Sequence, residues 1–275
     1  MNTLAPNQFR RIAEIAQARW GLHLTDKKLP LVSNRLASFL RHSRFGSIEE
    51  YLSHLERECD EEDMLVFFDL LSTNVTSFFR DQQHFDYLER ELYTPLARGN
   101  IVTPGRRIRI WSAACSTGQE PYSLAINALE CLPDLGAWDF RILATDLSTF
   151  AVEQAKAGRY AEDKVAEVPP ELRRKHFARV RSEREAIYEV SPEVRGLVTI
   201  ARMNLMDPWP FRGKFDVIFC RNVMIYFNAD TRRSLVLRFH NLLRPGGILA
   251  VGSAETLAGL DVPFRAAQAS VYVKE

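Results

Sequence analysis

The stretch "IRIWSAACSTGQEPYSLA", residues 108–125, decides how the rest of the chain is read. Ile108–Trp111 form a short apolar run of strand character, and Pro121 is a favoured first-turn residue that opens a helix. Between them lie Ser112, Ala113, Ala114, Ser116 and Gly118, all small enough to let a backbone come close to a ligand. Strand, tight loop and helix make the first unit of an α/β sheet, and ligands of such sheets sit beyond the carboxyl ends of the strands. The loop is not a GxGxxG motif: it has one glycine, and Glu120 at the helix start would repel a phosphate. A cationic or zwitterionic ligand suits it better than a dinucleotide.

Downstream, short aliphatic runs alternate with helical segments: "FRILAT" at 140–145, "LVTIARM" at 197–203, "FDVIFCR" at 215–221, "GILAVG" at 247–252 and "SVYVKE" at the end. This alternation predicts a mostly parallel sheet with helices on both faces over residues 107–275. About forty residues between the helix near 150–157 and the strand near 198 break the rhythm. With "HFARV", "AIYEV" and "GLVTI" they predict an inserted antiparallel β-subdomain over about 160–200. Upstream, residues 1–92 read at helical spacing, punctuated by Gly21, Pro30 and Gly46, and predict a small all-helical domain. Residues 93–106, with Pro95, Gly99, Pro104 and Gly105, read as the linker.

With 275 residues, 46% of them apolar, the chain can bury a real core. The amino terminus reads as an amphipathic helix rather than a signal peptide, and no apolar run approaches the ~18 residues of a membrane span, so a cytoplasmic protein without membrane insertion is expected. Cys59, Cys115, Cys131 and Cys220 lack paired spacing, which argues against a disulfide framework and a zinc site; no metal is expected. A net charge of +1 gives no field for bulk nucleic-acid binding. Charge is nevertheless unevenly spread: residues 1–48 carry eight Lys/Arg against two acids, residues 49–91 three Arg against thirteen acids. The segment around residues 32–44 is an amphipathic helix with Arg41 and Arg44 on its outer face and Arg35 bordering it.

Polar groups recur just after the strands. Asp146 ends the second run, where a carboxylate commonly accepts a ribose diol; Asn204 and Leu205 follow the third, and Arg221 and Asn222 the fourth. Each alone is an ordinary cap, but compatible groups at four strand ends are hard to dismiss. "LRPGG", residues 243–247, then makes a tight turn of a kind common in methyltransferase domains that use S-adenosylmethionine.

The segments "TNVTSFFRD" (73–81), "AACSTGQEPYSLA", "ATDLS" (144–148) and "FCRNVMIYFN" (219–228), in this order behind a helical domain, closely resemble the CheR family of chemotaxis-receptor glutamate methyltransferases. The resemblance implies a Rossmann-like class I methyltransferase sheet using S-adenosylmethionine and releasing S-adenosylhomocysteine. It places Asn74, Thr76 and Arg80 over the cofactor, with Phe78 and Phe79 packing. Arg80 suits the cofactor's carboxylate, because its planar fork binds carboxylates bidentately, and Glu120 suits its ammonium. Asp146 takes the ribose, while Asn204, Leu205, Arg221 and Asn222 surround the adenine and the reacting region. Arg80 and Tyr226 are the candidate catalytic residues, Tyr226 as the group that orients the acceptor.

The acceptor implied is a glutamate carboxylate on the cytoplasmic methylation helices of chemoreceptors, docked through Arg35, Arg41 and Arg44 by a monomeric enzyme. The chain lacks the [DN]-PP-[YF] signature of many amino-methylating nucleic-acid enzymes, having Arg221-Asn222-Val223-Met224 instead. It departs from the family pattern at Gln119, at "GSAE" (252–255) where many relatives have "GHSE", and at Ser38, where relatives carry a further basic residue. A same-fold methyltransferase acting on a small molecule or RNA, and a cofactor-binding module without turnover, are the alternative readings.

Overall fold

The computed structural model describes residues 4–57, 59–99, 104–180 and 186–275. Four helices open the chain: α1 (Pro6–Trp20), α2 (Leu29–Leu40), α3 (Ile48–Arg57) and α4 (Glu61–Leu71). Their starts and stops follow local chemistry. Pro6 opens α1, Gly21 closes it at φ 69, and Asp60 caps α4 by accepting the Asp63 N–H. Val32, Leu36 and Leu40 recur every fourth residue along α2 and face Phe9, Ile12, Tyr51, Leu52 and Phe67 in one core.

Two of the cations in residues 1–48 pair with acids of the following helices. Arg11 bridges Glu49 at 2.6 Å and Glu56 at 2.7 Å, and Arg44 lies 3.9 Å from Asp63. Exposed pairs of this kind contribute little to stability.

The second core belongs to a seven-stranded sheet. Its strands are β1 (Arg107–Ala113), β2 (Asp139–Asp146), β6 (Val198–Arg202), β7 (Phe215–Cys220), β8 (Leu243–Val251), β9 (Phe264–Gln268) and β10 (Val271–Lys274), in the order β6-β2-β1-β7-β8-β10-β9. The first five of that order are parallel, and β10 runs antiparallel to both β8 and β9. This is the mostly parallel, methyltransferase-type sheet that the resemblance implies. Strand side chains alternate between two buried layers: Ile108 and Ile110 pack with the helix α7 (Gln119–Cys131), Trp111 and Ala113 with the helix Ala229–Leu242. The Trp111 indole donates to Thr145 Oγ1 at 2.9 Å, which satisfies its N–H inside the core.

Packing divides the chain earlier than residue 92. The cluster built on α1–α4 ends at Leu71, whereas Phe78, Phe85, Tyr87, Leu88, Leu92, Tyr93 and Leu96 join the sheet core. The helices α5 (Gln83–Leu88) and α6 (Thr94–Ala97), joined by a π-helical turn at Glu89–Tyr93, therefore belong with the sheet, and Tyr93 and Leu96 inside the expected linker are buried. Helical spacing alone does not reveal which core a helix serves; residues 100–103 of that linker lie outside the described residues.

The insertion is a three-stranded antiparallel sheet, β3 (Arg159–Ala161), β5 (Ile187–Val190) and β4 (Phe177–Val180), in the order β3-β5-β4. "HFARV" and "AIYEV" supply two of its strands as expected. "GLVTI" does not: it is edge strand β6 of the main sheet, and the third strand is Arg159–Ala161, just after helix α8 (Thr149–Ala157). No described helix is long and apolar enough to cross a membrane.

Candidate active site

The strand order reverses between β1 and β7, and a cleft opens there at the carboxyl edge of the sheet. The β1–α7 loop reaches it through three left-handed residues, Ala114 (φ 61), Ser116 (φ 51) and Gly118 (φ 95). Gly118 is required: a Cβ there would stand 2.8 Å from Tyr160 Oη and 2.9 Å from Ala155. Ser116 N–H donates to Asp146 Oδ2 at 2.8 Å and Ser148 N–H to Asp146 Oδ1 at 2.9 Å, so this carboxylate ties the β1 loop to the end of β2. Burial pushes the Asp146 carboxyl above its ordinary range, and the backbone N–H groups act against that.

Glu120, at the start of α7, accepts from Ser112 Oγ at 2.7 Å and from Arg221 Nη1 at 3.1 Å. Arg221 projects from the end of β7, its side chain only 2% exposed, and its Nη2 donates to Asp81 Oδ2 and to the Arg80 carbonyl, both at 2.6 Å. Burial raises the Glu120 carboxyl despite these partners, whereas at Asp81 the Arg221 guanidinium outweighs burial and holds the carboxyl low. Arg80 itself donates from Nη1 to the Val75 carbonyl at 3.2 Å, and no carboxylate pairs with it among the described residues. Its cation lines the cleft with no carboxylate in hydrogen-bonding reach among the described residues.

The helical domain closes the other side. Leu22 forms an antiparallel bridge with Phe227, and His23 N–H donates to the Tyr226 carbonyl at 2.7 Å. Lys28 Nζ lies 5.9 Å from the centre of the Tyr226 ring. Arg35 reaches from α2 to the carbonyls of Leu70 and Ser72 and to Thr73 Oγ1, anchoring the loop whose Asn74 donates to Ser148 Oγ at 3.4 Å. The start of the loop expected to cover the cofactor is thus tied to α2 on one side and to the end of β2 on the other.

Asn74, Thr76, Arg80, Glu120, Asp146, Asn204, Leu205, Arg221, Asn222 and Tyr226 all line this one cleft. Their roles are less uniform than the sequence suggests. Arg221 is occupied by Glu120 and Asp81 rather than free beside the adenine, and Glu120 already holds a cation. The Asn204 amide donates to the Arg19 carbonyl and to Asp207 and accepts from Met206 N–H, which makes it a brace between domains. Of the docking candidates, Arg35 is spent on the loop carbonyls; Arg41, bonded to Ser38, and Arg44 remain outward-facing. Sequence reading missed the helical domain's wall, with His23, Lys28 and Leu31, because no strand-end pattern marks it. It also passed over Glu255, which accepts three backbone N–H groups beneath the Asn222–Tyr226 loop.

The donor set fits S-adenosylmethionine. Ser116 Oγ and Arg221 Nε are buried without a partner among the described residues, a free guanidinium and two carboxylates face one cavity, and Gly118 keeps the loop close. No cluster of side chains able to hold a metal ion occurs among the described residues.

Comparison with known proteins agrees with this geometry. Residues 7–72 match the family model described as the CheR methyltransferase all-alpha domain, and residues 74–273 the one described as the CheR methyltransferase SAM binding domain. A probable chemotaxis protein methyltransferase of Rhizobium etli is 38% identical, covering 87% of this chain and 88% of its own. The chemotaxis protein methyltransferases of Borreliella burgdorferi and Escherichia coli K12 are each 34% identical, over 93% and 98% of this chain and 90% and 91% of theirs.

Proposed function

The chain belongs to the CheR methyltransferase family, and from that premise we propose that it methylates glutamate side-chain carboxylates of chemotaxis receptors, forming methyl esters in the adaptation of chemotaxis signalling. At the coarser level it is a chemotaxis methyltransferase that uses S-adenosylmethionine. In this reading the reaction takes place in the cytoplasm, on the receptors' methylation helices.

Bound S-adenosylmethionine supplies a methyl group on a positively charged sulfur. The observation that carries the residue roles is the Arg80 guanidinium, which lines the cleft, donates to the Val75 carbonyl and pairs with no carboxylate among the described residues. Arg80 holds a carboxylate in that position. Asp146 takes the ribose hydroxyls through the acceptor capacity its two backbone donors leave free. Ser116 Oγ completes the polar wall.

The acceptor glutamate, with an unperturbed pKa near ~4.3, is already ionised at neutral pH and needs no proton removed. Catalysis is then positioning and exclusion of water. Tyr226 remains a phenol through neutral pH, because burial and then Glu255 raise its pKa, against the opposing pull of Arg80 and Arg35. It can donate its O–H to the carboxylate and orient it. The walls from both domains shield the reacting atoms.

The test is to methylate receptor-bearing membranes with labelled cofactor and treat the product with dilute base. Carboxyl esters release volatile methanol. Label that survives alkali points to an amine or ether product and overturns the carboxylate reading.

A further inference from the structure

Glu255 is a buried carboxylate that enters the mechanism above only as a neighbour that raises the Tyr226 pKa. It is 8% exposed and sits four residues past the end of β8. Its Oε2 accepts the N–H of Gly252 at 2.6 Å and of Asn222 at 2.9 Å, and its Oε1 accepts the N–H of Ile225 at 3.1 Å. No Lys, Arg or His side chain bonds to it among the described residues; three backbone donors hold the charge.

Those donors sit at distinct points around the catalytic edge. Gly252 directly follows β8, Asn222 lies two residues beyond β7, and Ile225 is inside the short 3-10 turn Met224–Tyr226. One carboxylate therefore joins the ends of two neighbouring parallel strands to the turn that carries Tyr226. Asn222 is left-handed at φ 59, a conformation that persists in a non-glycine residue when its surroundings fix it. Gly252 makes room for the arrangement: a Cβ there would stand 2.8 Å from both Asn222 Nδ2 and Glu255 Oε2. The opposite side of the same turn is held by His23 N–H on the Tyr226 carbonyl. Tyr226 is thus gripped between a buried anion below and the helical domain above.

We propose that Glu255 is a positioning residue for methyl transfer, its carboxylate fixing residues 221–227 so that the Asn222 side chain and the Tyr226 phenol face the reacting atoms. This rests on the methyl-transfer reading and extends it to a residue that touches neither cofactor nor acceptor. A purely structural anchor would lower stability and cost activity equally whatever residue stands at 226. A positioning residue acts through Tyr226, so its effect shrinks once the phenol is gone.

The experiment compares Glu255→Gln and Glu255→Asp, each with and without Tyr226→Phe. Turnover on receptor membranes, cofactor affinity by calorimetry and amide exchange of the 221–227 segment by mass spectrometry are measured. Glu255→Gln is expected to lower kcat by about tenfold or more, since an amide cannot accept all three N–H groups. In the Tyr226→Phe background the same change should cost less than about threefold. Glu255→Asp, which keeps the charge, should recover part of the loss, and exchange of 221–227 should rise in Glu255→Gln while that of β2 stays unchanged. Wild-type kcat in Glu255→Gln, an equal loss in both backgrounds, or unchanged exchange of 221–227 each overturns the proposal. If circular dichroism shows Glu255→Gln unfolded, Glu255→Asp carries the same cycle and the same outcomes decide. A wild-type protein that transfers no methyl group defeats the functional reading instead, and the exchange measurement still decides whether Glu255 fixes the turn.

Discussion

Arg221, from the end of β7, and Glu120, from the first turn of α7, meet at 3.1 Å across the point where the sheet reverses its order. The pair joins the two halves of the sheet directly beneath the cleft. Asp81 completes it from the loop that carries Arg80, so three segments far apart in sequence converge on one buried guanidinium.

Removing that guanidinium leaves the largely buried Glu120 and the partly buried Asp81 without the cation that hydrogen-bonds them. Arg221→Met should therefore destabilise the fold by about 3–5 kcal/mol and abolish turnover. Urea unfolding followed by circular dichroism measures the first effect. A loss below about 1 kcal/mol would show that the pair is structurally dispensable.

Arg80→Ala removes a cation that hydrogen-bonds no carboxylate among the described residues, so the fold should be untouched while the cofactor is expected to lose a partner. A charged hydrogen bond is typically worth about 1.5–3 kcal/mol, which corresponds to roughly ten- to hundredfold weaker S-adenosylmethionine binding by calorimetry. Unchanged affinity together with wild-type turnover would remove Arg80 from the site.

Receptor docking should depend on Arg41 and Arg44, outward-facing cations just beyond the end of α2, and less on Arg35, which is engaged with the Leu70 and Ser72 carbonyls. The double variant Arg41→Glu/Arg44→Glu should raise the KM for receptor several-fold, by roughly 1 kcal/mol, without changing cofactor affinity. Added salt should mimic it, because exposed charges are screened over about 8–10 Å at moderate ionic strength. Receptor turnover that ignores both changes would place recognition elsewhere.

His84 supplies a pH-dependent test of stability. It is buried against Ser270 Oγ at 2.9 Å, and burial, aided by Arg221 and opposed by Asp81, lowers its pKa from 6.5 to about 4. The native state therefore keeps the ring neutral while the unfolded chain protonates below 6.5. Its contribution is complete above pH 6.5 and is lost progressively down to about pH 4, a fall of about 3 kcal/mol. Urea unfolding at pH 7 and pH 5 should show a steeper acid loss for the wild type than for His84→Asn; equal losses would disprove it.

The strand-end residues were legible because an α/β sheet places its ligand at one edge, and Asp146, Arg221 and Asn222 each follow a β-type run. Gly118 was legible as a close-approach position, although its partners Tyr160 and Ala155 were not. What stayed hidden depends on contacts distant in sequence. Nothing local marks α5 as a sheet helix rather than a fifth helix of the amino-terminal bundle, nor Arg35 as a loop anchor rather than a docking residue. "GLVTI" was ambiguous because a short β-branched run suits an edge strand of either sheet. Glu255 was overlooked because its partners are backbone amides, which leave no signature in sequence.

The bridge between Leu22 and Phe227 bears on how such a protein could be recombined. A chimera joining a relative's bundle to residues 74–273 must reproduce the Leu22–His23 edge against Tyr226–Phe227. It must also keep Gly21 against Met206, where a Cβ would come within 2.9 Å of the sulfur. Whatever the bundle presents to a partner and the wall it lends the cleft are consequently inherited as one unit, and exchanging the bundle means redesigning the seam as well.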